Sequence, residues 1–112
     1  MKARSVKAKG RRLQNMVRDL LRKTFPDLDQ DDIKSQTMGM TGEDIVLSPL
    51  ARKSIPYSIE CKNQEKLQVW KFLKQAEDNV HEDCDMALII KRNGTKPYVV
   101  MDLDHWIELI KK

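Results

Sequence analysis

The chain has 112 residues, 40% of them hydrophobic and 34% charged, with a formal net charge of +4. That length suits one domain with a single core, and the composition is that of an ordinary globular protein. No apolar run approaches the roughly twenty residues that span a bilayer, the basic N-terminus lacks the apolar segment of a secretory signal, and Cys61 and Cys84 form neither a disulfide framework nor a CxxC pair; the expectation is one cytoplasmic domain over residues 1–112 with no membrane partner.

The charge is unevenly placed. Residues 1–24 carry nine Lys or Arg against Asp19 alone, a balance of +8, whereas residues 25–85 carry seven against thirteen acids, a balance of −6. A basic arm joined to acidic positions suits a protein that grips phosphate backbones near a metal site. The same pattern also fits a charged helix kept soluble behind a disordered tail.

Residues 1–7 read as a mobile basic tail. A helix is predicted from about Lys7 to Thr24, ended by Phe25-Pro26, with Leu13, Met16, Val17, Leu20 and Leu21 at the spacing of a core-facing stripe. Arg11, Arg18 and Arg22, with Asn15, fall on the opposite face, and Gln14 lies on the border. Lys9, Arg11, Arg12, Arg18 and Arg22 are the candidate nucleic-acid contacts of this helix.

Asp27-Leu-Asp-Gln-Asp31-Asp32 opens like a calcium loop, but Asp32 stands where that loop needs glycine and Met38 where it needs a bidentate glutamate, so these acids are expected to form turns and cap the helix end. Ile33 to Met38 is the first predicted strand. Met38-Gly-Met-Thr-Gly42 follows, a loop whose two glycines allow a sharp approach to Asp44. Glu43 to Leu47 reads as a short strand, and a hairpin-like return over Ser48 to Pro56 would set it beside the next.

That next strand is Tyr57 to Lys62, where alternation is clean. Tyr57, Ile59 and Cys61 point to one face, Ser58, Glu60 and Lys62 to the other, and Glu60 and Lys62 then stand about 7 Å apart. Taken alone this is an ordinary half-buried strand. With Asp44 brought alongside, two carboxylates and a lysine suit a hard divalent cation that keeps most of its waters and meets a phosphate. The lysine would hold or deprotonate a water, or neutralise charge on phosphorus.

A second helix is predicted from about Glu65 to Val80, with Val69, Phe72, Leu73, Ala76 and Val80 apolar, Gln75 at the edge of that face, and Trp70 expected to pack rather than to stack on bases. His81-Glu-Asp-Cys84-Asp85 offers too few ligands for zinc. Met86 to Lys91 and Tyr98 to Met101 are strands joined around Asn93-Gly94, a strong hairpin signal. The hairpin groups Lys91, Arg92 and Lys96 at one sheet end, where they either grip a phosphate backbone or form a charged edge that deters aggregation. Asp104 is expected to cap a last helix, His105 to Lys111, whose Trp106, Ile107 and Ile110 either finish the core or form a dimer surface.

Asp44, then Glu60-Cys61-Lys62 sixteen residues later and Gln64 beyond, resembles the D...ExK signature of the PD-(D/E)XK nuclease superfamily, closest to its Holliday junction resolvase-like and related phage or VRR-type members. By element order the resemblance covers roughly residues 8–101. It implies an α/β fold with a mixed central sheet flanked by helices, the αβββαβ core of restriction endonucleases. It further implies a Mg²⁺- or Mn²⁺-dependent endonuclease cutting DNA, branched DNA included, to leave a 5′-phosphate and a 3′-hydroxyl. Asp44, Glu60 and the Cys61 carbonyl would bind the metal and Lys62 would position or activate water. Gln64 and Gln14 would support them, Gln14 being neutral where the family often has a glutamate; Gln75 is a further candidate. A branched junction favours a symmetric dimer, and a short basic nuclease suits a phage or its host's cytoplasm. The rival readings are a nucleic-acid-binding protein of this fold without activity and a basic protein-interaction module.

Overall fold

The computed structural model describes residues 3–37, 40 and 42–112, and the side chains from Val6 onward. Its elements are α1 (Ala3–Thr24), a single 3₁₀ turn (Gln30–Asp32), β1 (Ile33–Ser35), β2 (Ile45–Leu47), α2 (Pro49–Ser54), β3 (Tyr57–Asn63), α3 (Val69–Asp78), β4 (Asp85–Lys91), β5 (Tyr98–Val100) and α4 (Leu103–Lys111). β3 pairs in parallel with β4, with Glu60 opposite Leu88, and β4 pairs antiparallel with β5. β1 and β2 form a separate antiparallel ladder. This is an α/β fold with mixed strand pairing and helices packed on it, as expected.

Two cores divide the molecule. Leu13 of α1 packs with Ile33, Ile45, Leu47, Ala51, Ile59, Cys61, Ala87 and Ile89, and Phe72 and Ala76 of α3 pack with Met86 and Leu88. Alternate residues of β4 therefore serve opposite faces, Ala87 and Ile89 toward α1 and Met86 and Leu88 toward α3, as a strand's two-residue period requires. The Asn93-Gly94 hairpin forms as predicted, with Gly94 in the left-handed region at φ +79°.

Several boundaries differ from the sequence expectation. α1 starts at Ala3, so residues 3–7 of the anticipated tail are helical; Met1 and Lys2 lie outside the described residues. Its buried stripe is Leu13, Val17 and Leu21, whereas Met16 and Leu20 are exposed. Lys9 and Gln14 occupy the rest of the buried face, which narrows the apolar stripe. The return between β2 and β3 is α2, a six-residue helix with Ser48 as its cap, accepting from Ala51 N–H at 3.1 Å, and Pro49 at its first position. Asp29 and Asp32 cap the 3₁₀ turn, and Asp32 also accepts from the Ser48 hydroxyl at 2.7 Å. The predicted first strand ends at Ser35, and Met38, Gly39 and Thr41 of the glycine loop lie outside the described residues.

α3 is shorter than anticipated, and Trp70 on it is 85% exposed instead of packed. α4 is capped by Asp102, not Asp104: the Asp102 carboxylate accepts from His105 N–H at 2.8 Å, the three-residue reach of a helix cap. His105 itself is buried, with Nε2 2.6 Å from the Tyr57 hydroxyl and Nδ1 3.2 Å from Asp85, which ties α4 to the starts of β3 and β4. Burial, with Asp85 nearby, pushes the Tyr57 hydroxyl up, so it stays a donor.

Candidate active site

Asp44 sits at the entry to β2 and is held through its backbone from two sides. Its N–H donates to Ile59 C=O at 2.9 Å and its C=O accepts from Gln36 N–H at 2.8 Å. Gly42, two residues before, takes φ +97°, a turn that a side chain would strain. Arg52 of α2 grips the neighbouring Glu43 with two contacts of 2.7 and 3.1 Å, a forked pair that fixes the approach. The short unpredicted helix therefore braces the segment carrying Asp44.

One Asp44 carboxylate oxygen accepts the Cys61 N–H at 2.7 Å. In an extended strand a residue's N–H and C=O point to the same side, so the Cys61 carbonyl projects from the edge of β3 that faces Asp44, away from β4. The Cys61 side chain is in the α1 core, and burial pushes its thiol up, so it remains protonated and apolar in character.

Glu60 points to the opposite face, toward α3, and is 2% exposed. Its carboxyl is pushed up to about 7, chiefly by burial. The Asn79 amide works against this, donating to Glu60 at 2.9 Å, while the adjacent Asp44 carboxylate raises the value further and Lys62 lowers it. The Lys62 ammonium lies 4.9 Å from the Phe72 ring centroid, which holds it over α3 beside Glu60. Two carboxylates, one backbone carbonyl and one ammonium thus meet at one end of β3.

Two recesses open from this point, with Asp44 on the wall of both. The first, about 180 Å³, is lined by Gln14, Asp44, Cys61, Lys62, Asn63 and Gln64. Gln14 is 6% exposed and Asn63 8%, and the side-chain oxygen of each has no hydrogen-bond partner. Asn63 is oriented by its amide, which donates to the Lys9 carbonyl at 3.1 Å. Unpaired buried acceptors beside a carboxylate call for a donor or a cation. The Asp44 carboxylate and the two unpaired amide acceptors are oxygens, the kind of ligand a hard divalent cation takes. Among the described residues no group of three or more His, Cys, Asp or Glu side chains is placed to hold a metal ion. The second recess, about 490 Å³, is lined by Asp44, Gly42, Lys71, Lys74, Gln75 and Asn79, among others.

Of the residues singled out in the sequence, Gln14, Asp44, Cys61, Lys62 and Gln64 share the first recess and Gln75 lines the second, while Glu60 lines neither and turns toward Asn79 on the α3 face. The basic candidates scatter. Lys9 is 5% exposed, its ammonium 3.3 Å from Glu65, because the α1–β3 interface closes over it; it is a buried tie rather than a surface contact. Arg22 donates to the carbonyls of Ile33 and Gln30, each at 2.9 Å, and Arg18 pairs with Asp19 at 2.9 Å. Arg11, Arg12, Arg92 and Lys96 are exposed, and Lys91 lies half-buried on the same hairpin. Asn63 and Asn79 were not anticipated. Both act across more than fifteen residues of sequence, and the only local sign is an amide placed inside or just after an apolar element.

Among known families, the model described as "Phage putative PDDEXK endonuclease" matches residues 5–112. No curated protein and no solved structure matches the chain.

Proposed function

The chain belongs to the phage PD-(D/E)XK endonuclease family, whose substrate is nucleic acid, and we propose that it is a Mg²⁺- or Mn²⁺-dependent endodeoxyribonuclease selective for branched DNA, Holliday junction resolvase-like in action. The observation that carries this reading is the meeting of Asp44, Glu60, the Cys61 carbonyl edge and Lys62 at one end of β3. Asp44, Glu60 and the Cys61 carbonyl would hold the cation, which supplies positive charge to the scissile phosphate. Lys62, two residues past Glu60 on the same strand face, holds the attacking water and, as the neutral amine, takes up its proton or, as the ammonium, offsets charge gathering on phosphorus. Gln14 and Gln64 orient polar groups in the same recess, and Gln75 contacts substrate from the second. Arg11, Arg12 and Arg18 on α1, with Lys91, Arg92 and Lys96 at the hairpin, hold backbone phosphates, so binding weakens steeply with salt.

A symmetric dimer fits the same reading. α4 and the edge strand β5 expose Tyr98, Val99, Leu103, Trp106, Ile107 and Ile110, large apolar side chains interspersed with the exposed charges of Asp104, Glu108 and Lys111. Such a surface on a small domain marks an interaction site, and two copies joined there would present two active sites to a two-fold junction. Among the described residues no helix is long and apolar enough to cross a membrane, in keeping with action in the cytoplasm of a bacterium or phage-infected cell. A second reading, a DNA-binding protein without cleavage, is favoured by Gln14 alone, which is neutral where the family resemblance implies a glutamate.

Cleavage of labelled four-way junction, flap, single-stranded and linear duplex DNA in Mg²⁺, Mn²⁺ or EDTA tests the proposal. Metal-dependent cuts, strongest on branched DNA and lost in both Glu60→Ala and Lys62→Ala, are the expected result. Binding without cutting in either metal would move the chain to the second reading.

A further inference from the structure

Trp70 contributes almost nothing to the fold, with 85% of its surface in water. Its neighbours give that exposure a direction. On a helix of 3.6 residues per turn, residues three or four apart are neighbours, so Lys74 stands next to both Trp70 and Lys71, which themselves point about 100° apart. Lys71, Lys74, Gln75 and Asn79 of α3 and its cap line the recess of about 490 Å³ together with Gly42 and Asp44. Asp78 lines it as well and pairs with Lys74 at 3.3 Å, but both side chains are largely exposed, so the pair is weak and yields readily to a phosphate. Trp70 thus stands beside Lys74, just outside a lysine-bearing recess that Asp44 also lines.

Lysines along a recess with an exposed aromatic ring beside them are the two parts of single-strand recognition: ammonium groups follow the backbone and the ring stacks on a base. A base inside a duplex has both faces covered, so only an unpaired one reaches Trp70. We propose that Trp70, Lys71 and Lys74 form a subsite for an unpaired nucleotide of the cleaved strand, next to the scissile phosphate. The inference rests on the nuclease reading and narrows it: among branched DNAs, the enzyme takes those with unpaired nucleotides at the branch. Charge complementarity and continuity with the Asp44 recess favour nucleic acid over a protein partner at this surface.

The test is binding, in EDTA, of fluorescent short oligothymidylate and of a blunt duplex to full-length Trp106→Phe protein, which leaves Trp70 as the only tryptophan. Oligothymidylate should quench Trp70 emission and the duplex should not. Trp70→Ala should weaken oligothymidylate binding about tenfold, from the stacking lost, and Trp70→Phe should restore most of it. Lys71→Ala and Lys74→Ala should each lower the salt dependence of binding by about 0.7 in the logarithmic slope. Because these side chains are exposed, unfolding midpoints of the variants should match the parent and serve as the folding control. Equal affinity of Trp70→Ala and parent overturns the subsite, even where metal-dependent cleavage stands. Quenching without any cleavage by wild type keeps the subsite and rejects the nuclease reading. Trp70→Ala that abolishes self-association while leaving DNA affinity untouched assigns the surface to a protein contact and overturns the proposal.

Discussion

The two faces of β3 are made from alternating residues of one seven-residue strand, yet they are stabilised in opposite senses. Ile59 and Cys61 enter the α1 core with their chemistry satisfied. Ser58, Glu60 and Lys62 enter the α3 side, where Ser58 accepts from His81 N–H at 2.6 Å but Glu60 is a carboxyl buried to 2% exposure with Asn79 as its hydrogen-bonding donor and another carboxylate beside it. One face holds the protein together. The other stores an electrostatic strain that a divalent cation would relieve, as functional sites commonly do.

Breaking each face should therefore give opposite signatures. The largest effect expected is on cleavage: Glu60→Gln keeps shape and removes the charge, and should slow Mg²⁺-dependent cutting on the order of 10³-fold or more while the protein stays folded, as single-turnover kinetics would show. Next, Ile59→Ala should lower stability by about 2–4 kcal/mol in urea unfolding through the cavity it leaves, with any loss of cleavage following the unfolded fraction.

The strained face also has a pH signature in metal-free protein. The folded protein keeps a proton on Glu60 up to about pH 7, whereas the unfolded chain releases it near 4.5. Stability should therefore fall as pH rises from about 4.5 through 7, by at most about 3 kcal/mol from this group. Glu60→Gln should flatten that part of the profile in EDTA, and a profile of wild type rising over the same window would contradict the account. The smallest effect is Asn79→Ala. Losing the amide that favours the ionised form should raise the Glu60 value further, moving the acid limb of the cleavage pH profile to higher pH, with a stability cost of about 1 kcal/mol.

These contrasts also explain what could be read in advance. Alternation over Tyr57–Lys62, the Gly-x-Asp before it and the Asn-Gly hairpin are local patterns, and they located β3, Asp44 and the β4–β5 pair. The fixed period of a helix set Gln14 at the border of the α1 stripe, whereas the fold buries it to 6% exposure. α2 was missed although Ser48-Pro49 is a start signal, since six residues with Ala51 as the only buried one carry no apolar stripe. Met16 and Leu20 matched the stripe but lost their places to Lys9 and Gln14, whose burial depends on Glu65 and β3 far along the chain. Asn63 and Asn79 acquire their roles only when the sheet and α3 meet, and Trp70 fits an amphipathic helix until the recess beside it is seen. Long-range pairing, invisible to local pattern, decided each of these.

The most direct test of the central claim is the unfolding midpoint of wild type and Glu60→Gln at pH 8, each in EDTA and in millimolar Mn²⁺. The account predicts that Glu60→Gln is the more stable protein in EDTA, and that Mn²⁺ raises the wild-type midpoint, through binding to the folded state, while leaving the variant nearly unchanged. Wild type more stable than Glu60→Gln in EDTA, with no response to Mn²⁺, would mean that Glu60 is a structural residue and that β3 carries no cation site.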